Sequence, residues 1–114
     1  EFASSNELWR ASLDVIDFMP LSSVNYSGGI IISDWYTSEQ SSNESIKISI
    51  RFLTNEIRSD ALDIKVFNRK CNKTFINCKI INKSGNIVEE LKREILKKAM
   101  IYKKENEAKD KKNN

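Results

Sequence analysis

Apolar and polar side chains alternate without interruption over seven residues in the middle of the chain. Residues 46–52 have the sequence IKISIRF. Successive side chains of a β-strand point to opposite faces of a sheet, so this period of two predicts a strand with one face on a core and the other in water. One dry and one wet face is typical of antiparallel sheets. We therefore expect an antiparallel sheet that is closed from one side only.

Three further segments are predicted as strands from their β-branched and aromatic residues. They are residues 30–36 with the sequence IIISDWY, residues 62–67 with LDIKVF, and residues 75–81. In the second of these the even-numbered residues are apolar, and we expect them to face the core. Consecutive hairpins make a meander the simplest way to connect the four strands.

The pairing of the last two strands sets the expected geometry of the two cysteines. Pairing Val66 with Ile80, across a turn at residues 72–74, places an apolar residue opposite an apolar one. In that register Cys71 and Cys78 point to opposite faces of the sheet. An internal disulfide is therefore not expected.

Apolar residues at helical spacing mark both ends of the chain. The first helix is predicted over residues 6–18, because Pro20 disfavours helical geometry in the residue before it. The second is predicted over residues 87–102. Residues 103–114 contain no apolar residue larger than alanine, so we expect a disordered basic and polar tail. Residues 1–5 are expected to be a linker, because their first two residues are typical of a cloning junction, with the natural amino terminus further upstream.

The elements together predict the fold class. A chain of 114 residues is the size of one domain. We expect a single α+β domain over residues 6–102, with an N-terminal helix, a four-stranded antiparallel meander sheet and a C-terminal helix. Both helices should pack on the one apolar face of the sheet.

The chemistry of the side chains argues against catalysis. The chain contains no histidine, which removes the usual activating base of serine and cysteine nucleophiles. Gly28 and Gly29 precede a predicted strand rather than a helix, so they do not indicate a phosphate-binding loop. A carboxylate-only hydrolase remains an alternative, with Asp14 and Asp17 on one helix edge. We expect a protein that is not an enzyme and that needs neither a cofactor nor a metal ion.

Polar and aromatic residues at the ends of two predicted strands form the candidate partner-binding site. Asp34, Trp35 and Tyr36 close one strand, and Arg58 and Asp60 precede another. Asp34, Arg58 and Asp60 could form one polar network across the strand ends, an arrangement that is more often structural than catalytic. The groove beside the second helix is the other candidate contact surface.

Charge is distributed unevenly along the chain. Residues 1–63 carry 4 basic and 10 acidic groups, a net of −6, whereas residues 64–114 carry 15 basic and 6 acidic groups, a net of +9. The basic part of the chain can attract phosphate or anionic lipid, although a solvated charged face gives the same pattern. The alternative function is a small nucleic-acid-binding module that uses the basic hairpin and tail. The candidate anion-binding residues are Lys65, Arg69, Lys70, Lys73 and Lys79.

Four strings of residues carry a family resemblance. They are LWRASLD at 8–14, DFMPL at 17–21, GGIIISDWY at 28–36 and RSDALDIKVF at 58–67. In this order they resemble an uncharacterised domain family of alphaproteobacterial predicted lipoproteins. The chain departs from the family pattern in its basic hairpin and tail. The order of elements also resembles the helix-grip domains of a lipoprotein of the outer-membrane barrel assembly machine.

The resemblance implies a location rather than an activity. It implies export by a signal peptide, acylation of a cysteine upstream of the chain, and attachment at the periplasmic side of the cell envelope. Association with the membrane would come only through that upstream lipid anchor. The function expected on this basis is a noncatalytic cell-envelope domain that binds a protein or amphiphile partner.

Overall fold

The computed structural model describes residues 6–37, 43–74, 76–83 and 85–113. Along the chain lie a helix, five strands and a second helix, with a short 3-10 turn before the fourth strand. These elements are α1 (Glu7–Val15), β1 (Leu21–Asn25), β2 (Ile30–Ser33), β3 (Glu44–Phe52), β4 (Leu62–Lys70), β5 (Lys79–Lys83) and α2 (Asn86–Asn113). The predicted α+β class is confirmed, with five strands rather than four in the described residues.

The strands form one antiparallel sheet in chain order from β1 to β5, which confirms the predicted meander. β3 lies at the centre of the sheet. Ile50 pairs with Ile31 of β2 and with Ile64 of β4, while Ile48 pairs with Val66. All five side chains are buried, and the alternation predicted this for the four that lie in β3 and β4. We call the face that carries them the inner face and the opposite one the outer face.

A single core cluster joins both helices to the inner face. Leu8 and Ala11 of α1 and Ile95 and Ala99 of α2 are fully buried in the same cluster as the isoleucines of the sheet. The prediction that both helices pack on one face is therefore confirmed. No described helix combines the length and apolar character needed to span a membrane.

β1 is a strand that the local sequence does not indicate. Its sequence, LSSVN, is exposed at all 5 positions, and it is held by backbone pairing with β2. The turn between the two strands requires a positive φ, which Gly29 adopts at 66° while its N–H donates to the Tyr26 carbonyl oxygen at 3.0 Å. Since neither face of β1 is buried, no alternation of apolar residues marks it.

α1 begins close to its predicted start but ends earlier. The Asn6 side chain accepts the Trp9 N–H at 3.1 Å and caps the helix. The predicted end at residue 18 is wrong, because α1 ends at Val15. Residues 16–19 form a turn instead, in which the Met19 N–H donates to the Ile16 carbonyl oxygen at 3.0 Å, and β1 follows at Leu21.

α2 continues well beyond its predicted end at residue 102. The structure extends the helix to Asn113, so the disordered tail predicted for residues 103–114 is wrong for its described part. Lysine, glutamate and alanine, which dominate this segment, are good helix formers. The segment also extends a helix that tertiary packing has already nucleated, so each added residue needs only propagation.

A polar contact joins the two helices where they meet. The Tyr102 hydroxyl donates to the Asp14 carboxylate, and the Arg10 guanidinium lies 3.7 Å from the centroid of the Tyr102 ring. The Lys98 ammonium lies 4.0 Å from the same carboxylate. The hydrogen bond to Asp14, together with burial, raises the pKa of Tyr102 above its usual value of 10.0.

Tyr102→Phe removes the hydroxyl and keeps the packed ring. Because the lost hydrogen bond is made to a carboxylate, we expect the free energy of unfolding to fall by about 1.5 kcal/mol at neutral pH. A raised folded-state pKa means that this contribution is present below pH 10.0 and is lost as the pH rises through the folded value. Denaturant unfolding of both proteins at neutral pH and at high pH measures the difference, and a difference that does not shrink at high pH would contradict the assignment.

Candidate functional site

Alternate residues of β3 and β4 point to the outer face, and no described element lies over them. Lys47 pairs with Phe67, and Ser49 pairs with Lys65. Lys47 and Phe67 are half-buried, whereas Lys65 is exposed. The open face therefore places cationic and aromatic side chains directly beside each other.

A β-bulge between β2 and β3 directs Trp35 onto this face. The regular pairing of β2 with β3 ends at Ile32, and the next paired residue is Tyr36, which faces Ile46. Residues 33–35 thus lie opposite only residues 47–48 of β3. The extra residue after β2 changes the direction of the side chains that follow it. The buried Ser33 hydroxyl stabilises the bulge by accepting a backbone N–H of β3 at 2.8 Å.

Two cations lie against the Trp35 ring. The Arg69 guanidinium is 4.3 Å from the ring centroid, and the Lys47 ammonium is 5.3 Å from it. Arg69 is also held by its Nε, which donates to the Ser45 hydroxyl at 3.2 Å. We call Trp35, Lys47, Phe67 and Arg69 the outer-face cluster. It combines an aromatic surface with positive charge and suits a partner with an anionic group next to an apolar one.

The neighbours of Trp35 in the sequence do not join this cluster. Tyr36 lies on the inner side, where its ring packs edge-on against Phe18 at a centroid distance of 5.4 Å. The exposed Asp34 accepts the Trp35 N–H at 2.9 Å and donates its own N–H to the Pro20 carbonyl oxygen at 2.8 Å. Asp34 therefore shapes the bulge, and its carboxylate is accessible to solvent.

Arg58 and Asp60 lie at the other end of the sheet. They precede β4, whose first residue pairs with the last residue of β3, whereas Tyr36 pairs near the start of β3. Arg58 makes exposed ion pairs with Asp60 at 2.8 Å and with Glu56 at 2.6 Å. The single polar network predicted for the two strand ends is therefore wrong, since the structure separates them into two sites.

The five predicted anion-binding residues also fall into two groups. Lys65 and Arg69 lie on the outer face, whereas Lys70, Lys73 and Lys79 lie at the end of the β4–β5 hairpin. Lys70 and Lys79 are paired across the two strands. The contact of Arg69 with Trp35 was not predicted, because it depends on the bulge.

The two cysteines form a disulfide, which corrects the prediction that they point to opposite faces. The predicted register was wrong by three residues: Val66 pairs with Lys83, and Ile80 pairs with Arg69. β4 runs to the residue before Cys71, and β5 begins at the residue after Cys78. The cysteines thus stand at the two ends of one hairpin loop, which is the arrangement that brings them together.

The loop between the cysteines is held by its own hydrogen bonds as well. The Asn72 side-chain oxygen accepts the N–H groups of Thr74 at 3.1 Å and Ile76 at 2.9 Å. Asn77 adopts a φ of 56°, which asparagine tolerates better than most residues. The base of the loop is fixed to the start of β3, where the Asn43 side-chain amide donates to the Cys71 carbonyl oxygen at 2.9 Å.

The sequence matches a known family over nearly its whole length. The family model described as "Domain of unknown function (DUF3576)" matches residues 2–104. The chain belongs to this family. The resemblance to an uncharacterised alphaproteobacterial family is thereby confirmed.

A relative of this DUF3576 domain is the "Uncharacterized protein RP420" of Rickettsia prowazekii (strain Madrid E). The two are 36% identical over 93 residues, which make up 81% of this chain and 54% of the relative. The chain thus spans about half the length of that relative. No solved structure gives a significant match.

Two grooves of the DUF3576 domain lie beside its helices. One, of about 410 Å³, runs along α2 and is lined by Val15, Glu94, Lys97, Lys98 and Ile101. The other, of about 450 Å³, lies near the start of α1 and has no charged residue in its lining; it includes the buried Trp9. Within the described ranges, no group of three or more His, Cys, Asp or Glu side chains is placed to hold a metal ion.

Replacing both cysteines of the DUF3576 domain by serine tests the disulfide. Closing a short loop restricts the unfolded chain, so we expect the free energy of unfolding to fall by about 2 kcal/mol. Denaturant unfolding measures the change, and adding a reductant to the double variant serves as the control because it should have no effect. The assignment would be contradicted if both cysteines of the folded wild-type protein reacted at once with a thiol reagent in the absence of reductant.

Proposed function

We propose that this domain is a noncatalytic binding domain of the bacterial cell envelope, and that it takes a protein or amphiphile partner on its outer sheet face. The outer-face cluster carries the proposal. Trp35 is only half-buried, with Arg69 at 4.3 Å from its ring, on a face that both helices leave open. Tryptophan, tyrosine and arginine are the residue types that most often contribute strongly at binding surfaces.

The charge of the outer face favours an anionic partner group. Lys47, Lys65 and Arg69 project from neighbouring positions of β3 and β4 on this face. Phe67 lies between Lys65 and Arg69 along β4 and is half-buried, so a partner can cover apolar surface while its acidic group meets a cation. An acidic amphipathic segment of a protein, or an amphiphile with an anionic head, has this chemistry.

The disulfide supports a location outside the cytoplasm. Disulfides persist in oxidising compartments such as the bacterial periplasm and are rare in the cytosol. The bond between Cys71 and Cys78 is therefore what a periplasmic domain would carry. In this proposal the full-length protein is exported and held at the membrane by a lipid anchor upstream of this chain.

The noncatalytic part of the proposal rests on the state of the carboxylates that could act without histidine. The Asp14 carboxylate accepts a hydrogen bond from the Tyr102 hydroxyl and lies near Lys98. Asp17 is exposed in the turn that follows α1. A carboxylate pair needs both groups free and facing one cleft to act as acid and base. The contact with Tyr102 gives Asp14 a structural role instead.

Capture of partners from solubilised cell envelopes tests the binding surface. Trp35→Ala and Arg69→Glu remove the aromatic surface and reverse the charge, so we expect each to lower the yield of a cross-linked partner at least about tenfold. Arg58→Glu is the matched control, since it makes the same charge change at the opposite end of the sheet. Equal capture by all three variants, with folding verified by circular dichroism, would rule out the outer face as the contact surface.

The compartment is tested by trapping thiols in intact cells of the native host. Export predicts that Cys71 and Cys78 are oxidised, so a membrane-permeant alkylating reagent should leave both unmodified until a reductant is added. Alkylation of both cysteines without reductant would place the protein in the cytosol and end the envelope proposal.

A nucleic-acid-binding module is the second candidate, favoured by Phe67 between Lys65 and Arg69 on an open sheet face. Phosphate contacts would make its affinity fall steeply with salt. A gel-shift series with single-stranded oligonucleotides distinguishes the two functions. Absence of binding even at low salt would eliminate this candidate.

A further inference from the structure

The β4–β5 hairpin concentrates exposed apolar side chains at one end of the molecule. Ile76, Ile80 and Ile81 are 61%, 58% and 57% exposed, respectively. We call residues 70–74 and 76–83 the stapled hairpin, because the disulfide closes its loop. All five residues of β5 are exposed, so the described core provides no cover for these isoleucines.

The isoleucines point in different directions. Ile80 pairs with Arg69 and so lies on the outer face, whereas Ile81 pairs with Asn68 and lies on the inner face. Ile76 lies in the loop beyond both strands. Apolar surface therefore surrounds the end of the hairpin, and a single groove of a protein would cover only one side of it.

Positive charge surrounds the same end. Residues 64–88 contain six basic residues and no acidic one. Four of the basic residues belong to the stapled hairpin, namely Lys70, Lys73, Lys79 and Lys83. Within the described part of the chain, Lys70 is the one member of this set with an ion pair, to Glu44 at 3.6 Å. The field at the hairpin is therefore strongly positive.

We propose that the stapled hairpin binds an anionic lipid surface. Ile76, Ile80 and Ile81 enter the interface between head groups and acyl chains, and the surrounding lysines contact lipid phosphates. A fluid interface surrounds an inserted element, so it covers apolar groups on both faces and at the tip at once. Lysines flanking apolar residues extend their ammonium groups to the head groups, which matches the composition of the hairpin.

The open edge of β5 limits the depth of insertion. β5 pairs only with β4 among the described strands, so one row of its backbone polar groups has no strand partner. Such groups cannot enter hydrocarbon without a large cost, so the β5 backbone stays among the head groups while the isoleucine side chains reach the boundary with the acyl chains. The disulfide keeps the loop residues Lys73 and Ile76 in one arrangement, which lowers the entropy lost on binding.

This proposal uses residues outside the outer-face cluster and needs no protein partner. Flotation of the full chain with vesicles of equal parts phosphatidylglycerol and phosphatidylcholine tests it, with pure phosphatidylcholine vesicles as the uncharged reference. Binding is expected only to the anionic vesicles. Lys73→Gln combined with Lys79→Gln should lower the partition coefficient about twenty-five-fold, at about fivefold for each lysine. Ile76→Ser should lower it about tenfold through loss of one buried side chain.

Matched controls distinguish binding by the hairpin from nonspecific effects of net charge and of exposed apolar side chains. Lys103→Gln combined with Lys104→Gln makes the same charge change on exposed α2, and Leu53→Ser removes an apolar side chain that is 62% exposed at the other end of the sheet. Both controls should bind as the wild type does. The proposal is overturned if the wild type does not float with anionic vesicles, or if the hairpin and control variants bind equally. It is also overturned if the wild type forms a dimer without lipid and Ile76→Ser is monomeric. None of these outcomes bears on Trp35 or Arg69.

Discussion

The pairing of β3 with a neighbour on each side is the interaction on which the rest of the molecule depends. Ile50 is matched across both ladders by buried isoleucines, and α1 and α2 close over that face. Because side chains alternate along a strand, burying Ile48 and Ile50 commits Lys47 and Ser49 to the opposite face. The open, cationic outer face is thus a direct consequence of building a core on one side only.

The bulge after β2 brings Trp35 and Arg69 together on that open face. Without the extra residue, the side chain at position 35 would follow the regular register of the strand, and Trp35 would not meet Arg69. The bulge interrupts the hydrogen bonds between the two backbones, and the Ser33 hydroxyl accepts the Ile48 N–H in their place. This buried polar group stabilises the local backbone geometry and contributes no apolar contact to the core.

The hairpin at the end of the sheet is stabilised differently from the centre. β5 buries none of its five residues, so apolar packing contributes little to its position. The disulfide and the side-chain bonds of Asn72 hold the loop instead. Covalent closure allows isoleucines and lysines to remain exposed at a fixed position, which a core-packed element could not do.

The sequence by itself determined the elements that have a buried face. The alternation of 46–52 and 62–67 predicted the inner residues of β3 and β4, and helical spacing predicted α1 and α2, because burial imposes a period on the chain. Only the tertiary structure decided β1, the register of β5, the disulfide and the separation of Arg58 from Trp35. The edge strands β1 and β5 bury neither face and leave no periodic signal, while register and bulges depend on loop length and on contacts between residues distant in the chain.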